Sequence, residues 1–267
     1  MSTAVTVLGG ACTAAPVAQE STIPDSLSLH ITSSVPFSSA DIFAFADTPE
    51  GGRIFHSGSG SSPFVRIPAP REDIICVGIA NAGGEFADDA FPLFSGIEST
   101  MAELRSEDPL RPVLSGFCQV SPSDTVAELE LSALLCSIVV DGIEGGSGTA
   151  LSDPAIWLEN LNPRCNILRY NGFYPSEMLD GPHILMHPEM VMQDLPFNIG
   201  AGLRETDIQL WCYPNESRVN PTQICLGGYR KNVFAEYKAD LPPLGRSAEI
   251  SIRLRLDGDR LNYTISP

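Results

Sequence analysis

Apolar and polar positions alternate along much of the chain. In Leu27–Thr32, Leu27, Leu29 and Ile31 alternate with Ser28, His30 and Thr32. That two-residue period belongs to a strand with one face in a core and the other in water. The run Thr125–Ile143 begins the same way, with Ala127, Leu129, Leu131 and Ala133 against Glu128, Glu130 and Ser132. In its second half Leu134, Cys136, Ile138 and Val140 join Leu135 and Val139, so the polar face disappears. A strand apolar on both faces must be covered on both. The alternating glutamates, the β-branched Ile138-Val139-Val140 and the flanking Pro122 and Gly142 argue against a helix. The run is read as one long strand that closes one domain and leads into the next.

The same patterning predicts strands at Asp41–Ala46, Phe64–Ile67, Ile74–Ala80, Ala155–Leu158, Cys165–Leu168, Met190–Phe197, Asp207–Tyr213, Gln223–Leu226, Asn232–Tyr237 and Ala248–Leu256. In the last, Ile250, Ile252, Leu254 and Leu256 face inward. His56–Pro63 reads as a flexible loop and Ser99–Arg105 as a short helix capped by Ser99. Many short strands, with 22 prolines, 23 glycines and little helical periodicity, predict an all-β protein built of β-sandwiches. Gly145-Gly146-Ser147-Gly148 has linker composition and sets the expected organisation: a leader at 1–25 and domains at 26–144 and 145–267.

Charge narrows the function. With 33 acidic against 16 basic residues the net charge is −17, which disfavours nucleic acid and anionic lipid as partners. No apolar stretch approaches the ~20 residues of a membrane-spanning helix, so contact with a membrane would run through a lipid anchor. Leu8-Gly9-Gly10-Ala11-Cys12 is similar to a bacterial lipoprotein processing site, with Cys12 as the lipidated residue; a truncated or mis-started leader is the competing reading. Seven cysteines include no C-x-x-C pair, so neither a zinc site nor a disulfide framework is indicated. Cys212 and Cys225 flank a predicted hairpin loop and are the candidate disulfide; the default is buried thiols.

Catalytic signals are absent. His183 and His187 lie near Glu177, Asp180 and Glu189, but Pro182 and Pro188 break the local pattern and no H-E-x-x-H occurs. There is no G-x-S-x-G and no phosphate-binding loop at Lys231 or Lys238. Glu128 and Glu130 read as solvated charges rather than a glycosidase pair, and Trp157 and Trp211 as core or junction residues. Asn215 and Asn262 begin glycosylation-type tripeptides. The expectation is a non-enzyme with no cofactor and no metal.

The order of segments resembles the fimbrillin-like pilins of Bacteroidales, subunits of type V pili. The pieces are Leu27–Thr32, DIFAFAD (Asp41–Asp47), IICVGIAN ending at Asn81, PVLSG (Pro112–Gly116), the Thr125–Ile143 run and IWLENLN (Ile156–Asn162). After them come LPFNIGAG (Leu195–Gly202), QLWCYPNES (Gln209–Ser217), LPPLGR (Leu241–Arg246) and the Ala248–Leu256 strand. The resemblance implies two transthyretin-like Greek-key β-sandwich domains in tandem, export as an outer-membrane lipoprotein, and partnership with other pilin-like subunits by strand exchange. Leu27, Leu29, Ile31, Ile250, Ile252 and Leu254 would carry the exchanged and receiving strands, joined by main-chain hydrogen bonds and side-chain pockets.

Two features depart from the family pattern. No Arg or Lys precedes Arg53, so the basic residue at which the family's first strand is released is missing. After Leu256 only DGDRLNYTISP remains; Leu261, Tyr263 and Ile265 alternate, yet the segment is read as a frayed tail. The departures favour an anchor or tip subunit. The alternative is a surface lipoprotein that binds a glycan or host protein without polymerising.

Overall fold

The computed structural model describes residues 25–48, 51–58, 60–83, 86–87, 89–168 and 188–266. In chain order they form β1 (Ser26–Ser33), β2 (Ala40–Ala46), β3 (Arg53–Gly58), β4 (Phe64–Pro68), β5 (Ile74–Ala80), helix α1 (Phe94–Glu98), β6 (Met101–Glu103), β7 (Leu114–Val120), β8 (Val126–Ala133) and β9 (Cys136–Gly145). There follow β10 (Ser152–Glu159), β11 (Arg164–Asn166), a helical turn α2 (Pro188–Val191), β12 (Met192–Asp194), β13 (Gly202–Cys212), β14 (Gln223–Arg230), β15 (Val233–Asp240), β16 (Glu249–Asp257) and β17 (Arg260–Ile265). The protein is all-β, as its patterning predicts.

The first sandwich is one curled sheet of order β3-β2-β5-β7-β8-β1-β4. Its β4-β1-β8 part folds over the rest, and the corner is narrow: β7 and β8 pair only at Leu114–Ala133 and Ser115–Ser132. Leu27, Leu29 and Ile31 of β1 and Leu129 and Leu131 of β8 meet Ile42, Ala44, Ile74 and Cys76 in one apolar core. Glycine makes the close approach possible. A Cβ on Gly116 would lie 1.9 Å from the Glu130 carbonyl oxygen, and one on Gly78 2.8 Å from a Leu131 methyl.

Strands β2 and β5 are buried at every position, because their outer face has its own cover. Phe43, Phe45, Ile75, Val77 and Ile79 pack there against Phe94 and Ile97 of α1 and against Ile167 and Leu168. Asp41 is the polar member of β2 and is bonded to the His56 ring at 2.9 Å, with that ring stacked on Phe43.

The second sandwich pairs the sheet β13-β9-β16-β17 with the sheet β12-β10-β14-β15. Ile138 and Val140, Leu210, and Ile252, Leu254 and Leu256 face Ile156, Leu158, Ile224 and Leu226 across one core. A small ladder, β11 on β6, ties the chain after β10 back to the first sandwich.

Several expectations change. Thr125–Ile143 is two strands, β8 and β9, and the chain passes between sheets at Leu134–Leu135. Both leucines are buried, so no polar residue marks the break. Gly145–Gly148, read as a linker, is a packed turn: Gly146 N–H donates to the Leu256 carbonyl at 2.8 Å, and Gly145 sits against Gly200. The change of sheet thus falls before the 144/145 boundary expected from composition. The helix lies at Phe94–Glu98 with Ser99 at its C-terminal end, because Met101–Glu103 is taken up by pairing with β11. Of the predicted strand Met190–Phe197 only Met192–Asp194 is a strand. Strands β3 and β7 were not anticipated. The supposed frayed tail is β17, paired along β16 with Leu261 buried.

Candidate functional site

The working part suggested by the sequence is a strand that can leave and be replaced. Strand β1 is the expected candidate. It lies between β8, which it pairs in parallel from Ser28–Val126 to Ser33–Leu131, and the short edge strand β4, which it pairs antiparallel. Leu27 and Leu29 are fully buried and Ile31 nearly so. At about 1.5–3 kcal/mol per buried side chain these three contribute about 5–9 kcal/mol to holding the strand. Removing β1 would bare the flanks of both β4 and β8, and β8 keeps only its two-residue pairing with β7. An open groove of that kind invites another strand.

The outward positions of the strand are unlike the inward ones. His30 stacks on the exposed Phe64 ring at 4.7 Å, and Glu128 and Glu130 project from β8 into solvent, as expected for charges on an outer face. The link from β1 to β2 carries no basic residue. The first one after it, Arg53, is half-buried at the start of β3, with its guanidinium donating to the Ala90 carbonyl.

Strand β16 repeats the arrangement in the second sandwich: parallel to β9 on one side, antiparallel to the edge strand β17 on the other. Ile252 and Leu254 are fully buried, while Ile250 is partly exposed at the strand's start. The six residues singled out from the sequence therefore fall on two separate strands, one per sandwich.

Between the sandwiches lies a polar junction that the pattern did not reveal. Arg246 reaches from the loop before β16 to the Ser115 hydroxyl at 2.8 Å and to the carbonyls of Ser115 and Ser132 at 3.2 and 3.1 Å. Buried Glu107 accepts from the Tyr213 hydroxyl at 2.8 Å and the Val113 amide at 3.1 Å. Desolvation raises the Glu107 pKa above the usual carboxylate range, outweighing those two hydrogen bonds. Arg246 and Tyr213 lie within the quoted segments LPPLGR and QLWCYPNES, but periodicity gives no sign of a polar contact between domains.

A cavity of about 510 Å³ opens beside this junction, lined by Ser38, Asn81, Glu103, Glu107, Asp108 and Arg111 among others. Its lining is acidic and rich in hydroxyls.

Other predicted positions sort plainly. Cys212 and Cys225 are not brought together. Cys212 is in the second core opposite Cys136, whereas Cys225 lies between the core-facing Ile224 and Leu226 and so points to the other side of β14, facing Trp157 and Lys238. Trp157 is buried and donates to Glu159 at 3.0 Å, and Trp211 packs on the second core. Asn215 is buried, its amide bonded to the Asn220 carbonyl at 3.0 Å. Cys12, His183 and His187 lie outside the described residues. Among the described residues no group of three or more His, Cys, Asp or Glu side chains is arranged to hold a metal, and no helix is long and apolar enough to cross a membrane.

No protein-family model and no curated protein matches the sequence. Solved structures do. A candidate cell adhesion protein from Parabacteroides distasonis superposes with a TM-score of 0.66 at 10% identity, over 90% of this chain and 95% of that one. A fimbrilin from Porphyromonas gingivalis gives 0.60 at 10% identity, over 91% and 97%. A fimbrial assembly protein from Parabacteroides distasonis gives 0.57 at 12% identity, over 91% and 98%. The chain thus has, over nearly its whole length, the β-sandwich fold of Bacteroidales cell adhesion and fimbrial proteins.

Proposed function

We propose that this chain is a non-catalytic, cell-surface pilin-like subunit that anchors or caps a fimbria by β-strand exchange. The observation that carries the reading is β1, a strand anchored by Leu27, Leu29 and Ile31 and held between a short edge and a strand that depends on it. The names of the similar structures, a fimbrilin and a fimbrial assembly protein, agree with it. The absence of a basic residue before Arg53 argues that an arginine-directed protease does not free β1. A subunit that keeps its own groove filled ends a chain of subunits rather than extending it, hence anchor or cap. The location that follows is the outer surface of the cell, with Cys12 as the lipid-bearing residue.

A second reading rests on the acidic cavity beside the junction: a surface lipoprotein that takes a glycan or a host protein there and joins no fibre. One experiment separates the two. Fimbriae sheared from the producing cells and purified should carry this chain in sub-stoichiometric amount, at fibre ends by immunogold labelling. Fimbriae free of it, with the chain still on the cell surface, would overturn the first reading in favour of the second.

A further inference from the structure

Six of the cysteines lie among the described residues, and four of them stand in two facing pairs. Cys76 on β5 is the register partner of Cys118 on β7, and Cys136 on β9 is that of Cys212 on β13. The pairs are distributed one to each sandwich, and within each pair both side chains point into the same core. The two other thiols are placed differently, Cys165 facing Ala102 and Cys225 facing Trp157 and Lys238.

Register fixes the separation. The Asp47 amide bonds the Asp73 carbonyl across β2 and β5, so Asp73, Ile75 and Val77 turn their backbone groups toward β2, and Cys76 turns its own toward β7. Ser137 N–H likewise donates to the carbonyl of Ala248, just before β16, which leaves Cys136 bonding across to β13. Both are therefore hydrogen-bonded pairs of an antiparallel ladder, with Cα atoms about 5.5 Å apart. That lies within the ~4.4–6.8 Å Cα range of disulfides, and the facing Cβ atoms, about 5.5 Å apart in such a pair, must draw in to about 4.5 Å as the bridge closes.

Access differs between them. Beyond Ser115, β7 no longer pairs with β8, and Cys118 is only partly buried at the side of the first core. Cys76, Cys136 and Cys212 are fully buried. We propose that Cys76 and Cys118 form a disulfide site that closes in the folded protein with Cys118 as the entry thiol, and that Cys136 and Cys212 form a second, closed only before its sandwich packs. The oxidant is a disulfide, RSSR, of low molecular weight or on an oxidoreductase. The Cys118 thiolate attacks one sulfur and expels RS⁻, giving Cys118–S–S–R. The Cys76 sulfur gives up its proton and displaces the second RS⁻. Two thiols become one disulfide, RSSR is reduced to two RSH, and the two protons go to the leaving thiols. The neighbouring Cys76 thiol lowers the Cys118 pKa, and Cys118 and burial raise that of Cys76, which suits attacker and resolver in that order.

The bridges would staple β5 to β7 and β9 to β13 while leaving β1 untied. That consequence rests on the strand-exchange reading; the bridges themselves rest on register alone. The test uses the purified, fully reduced chain with oxidised glutathione, once folded and once during refolding from urea, read by intact mass, thiol titration and peptide mapping. The folded chain should lose two hydrogens and yield a linked Cys76–Cys118 peptide; the refolded chain should lose four and add Cys136–Cys212. In Cys76→Ser a glutathione adduct should remain on Cys118, and in Cys118→Ser the folded chain should stay unmodified at Cys76. All four thiols staying titratable after refolding, or Cys212 found linked to Cys225, would overturn the proposal. Absence of the chain from fimbriae would leave it standing.

Discussion

Leu29→Ala probes the strand on which the functional reading depends. Leu29 is fully buried, flanked by Ala127 of β8 and Val65 of β4. Truncation removes about three carbon atoms at ~0.8 kcal/mol each, and adds a cavity that a packed sandwich fills only in part. The expected loss is about 3 kcal/mol, within the 2–5 kcal/mol typical of buried Leu→Ala changes. That is on the order of a hundredfold in the unfolding equilibrium of the first sandwich. Ser28→Ala, one residue away but facing outward, should cost no more than about 0.5 kcal/mol. Urea unfolding followed by far-UV circular dichroism measures both, with the change read from the midpoint at constant slope. The two tryptophans, Trp157 and Trp211, both belong to the second sandwich, so their fluorescence reports that half alone. Equal, small effects of the two substitutions would refute the claim that β1 is held by its inward side chains.

Gly116→Ala should destabilise the first sandwich more than its one added methyl suggests, by at least about 2 kcal/mol in the same assay, since the new Cβ would collide with the Glu130 carbonyl. Arg246→Met removes charged hydrogen bonds worth about 1.5–3 kcal/mol each to the far sandwich; the dichroism and tryptophan transitions should separate in urea where the unaltered chain shows them together. Glu107 has a raised pKa in the folded state, so the stability it contributes is present below the unfolded value and is lost as pH rises through the folded one. Relative to Glu107→Gln, the unaltered chain should therefore lose stability as pH rises above about 4, and a gap independent of pH would contradict this placement of the carboxyl group.

The parts of the fold legible in the sequence are those where one physical signal acts alone. Strand β1 has clean alternation because one face meets solvent, and β16 reads in the same way. Strands β2 and β5 read as short apolar runs because α1 and the residues around Ile167 cover their second face. Where signals conflict, reading fails. Strand β3 carries His56, polar by type yet stacked on Phe43 and bonded to Asp41, so the segment looks like a loop. Strand β7 is interrupted by Gly116, which looks like a turn residue but is there because β8 passes too close for any side chain. Strands β8 and β9 merge because Leu134 and Leu135 are buried at the corner between sheets. The candidate strands were found because they are core strands; the Arg246 and Glu107 contacts were not, since a junction between distant segments has no period.

The account turns on whether β1 is a separable strand that alone fills the groove of the first sandwich. The chain from Ser34 onward, mixed with a synthetic peptide of residues 26–33, tests this most directly. The account predicts that the shortened chain alone has an unstable first sandwich, that the peptide restores it saturably, and that the Leu29→Ala peptide binds about a hundredfold more weakly. A shortened chain that is as stable as the whole one and takes up no peptide would contradict it.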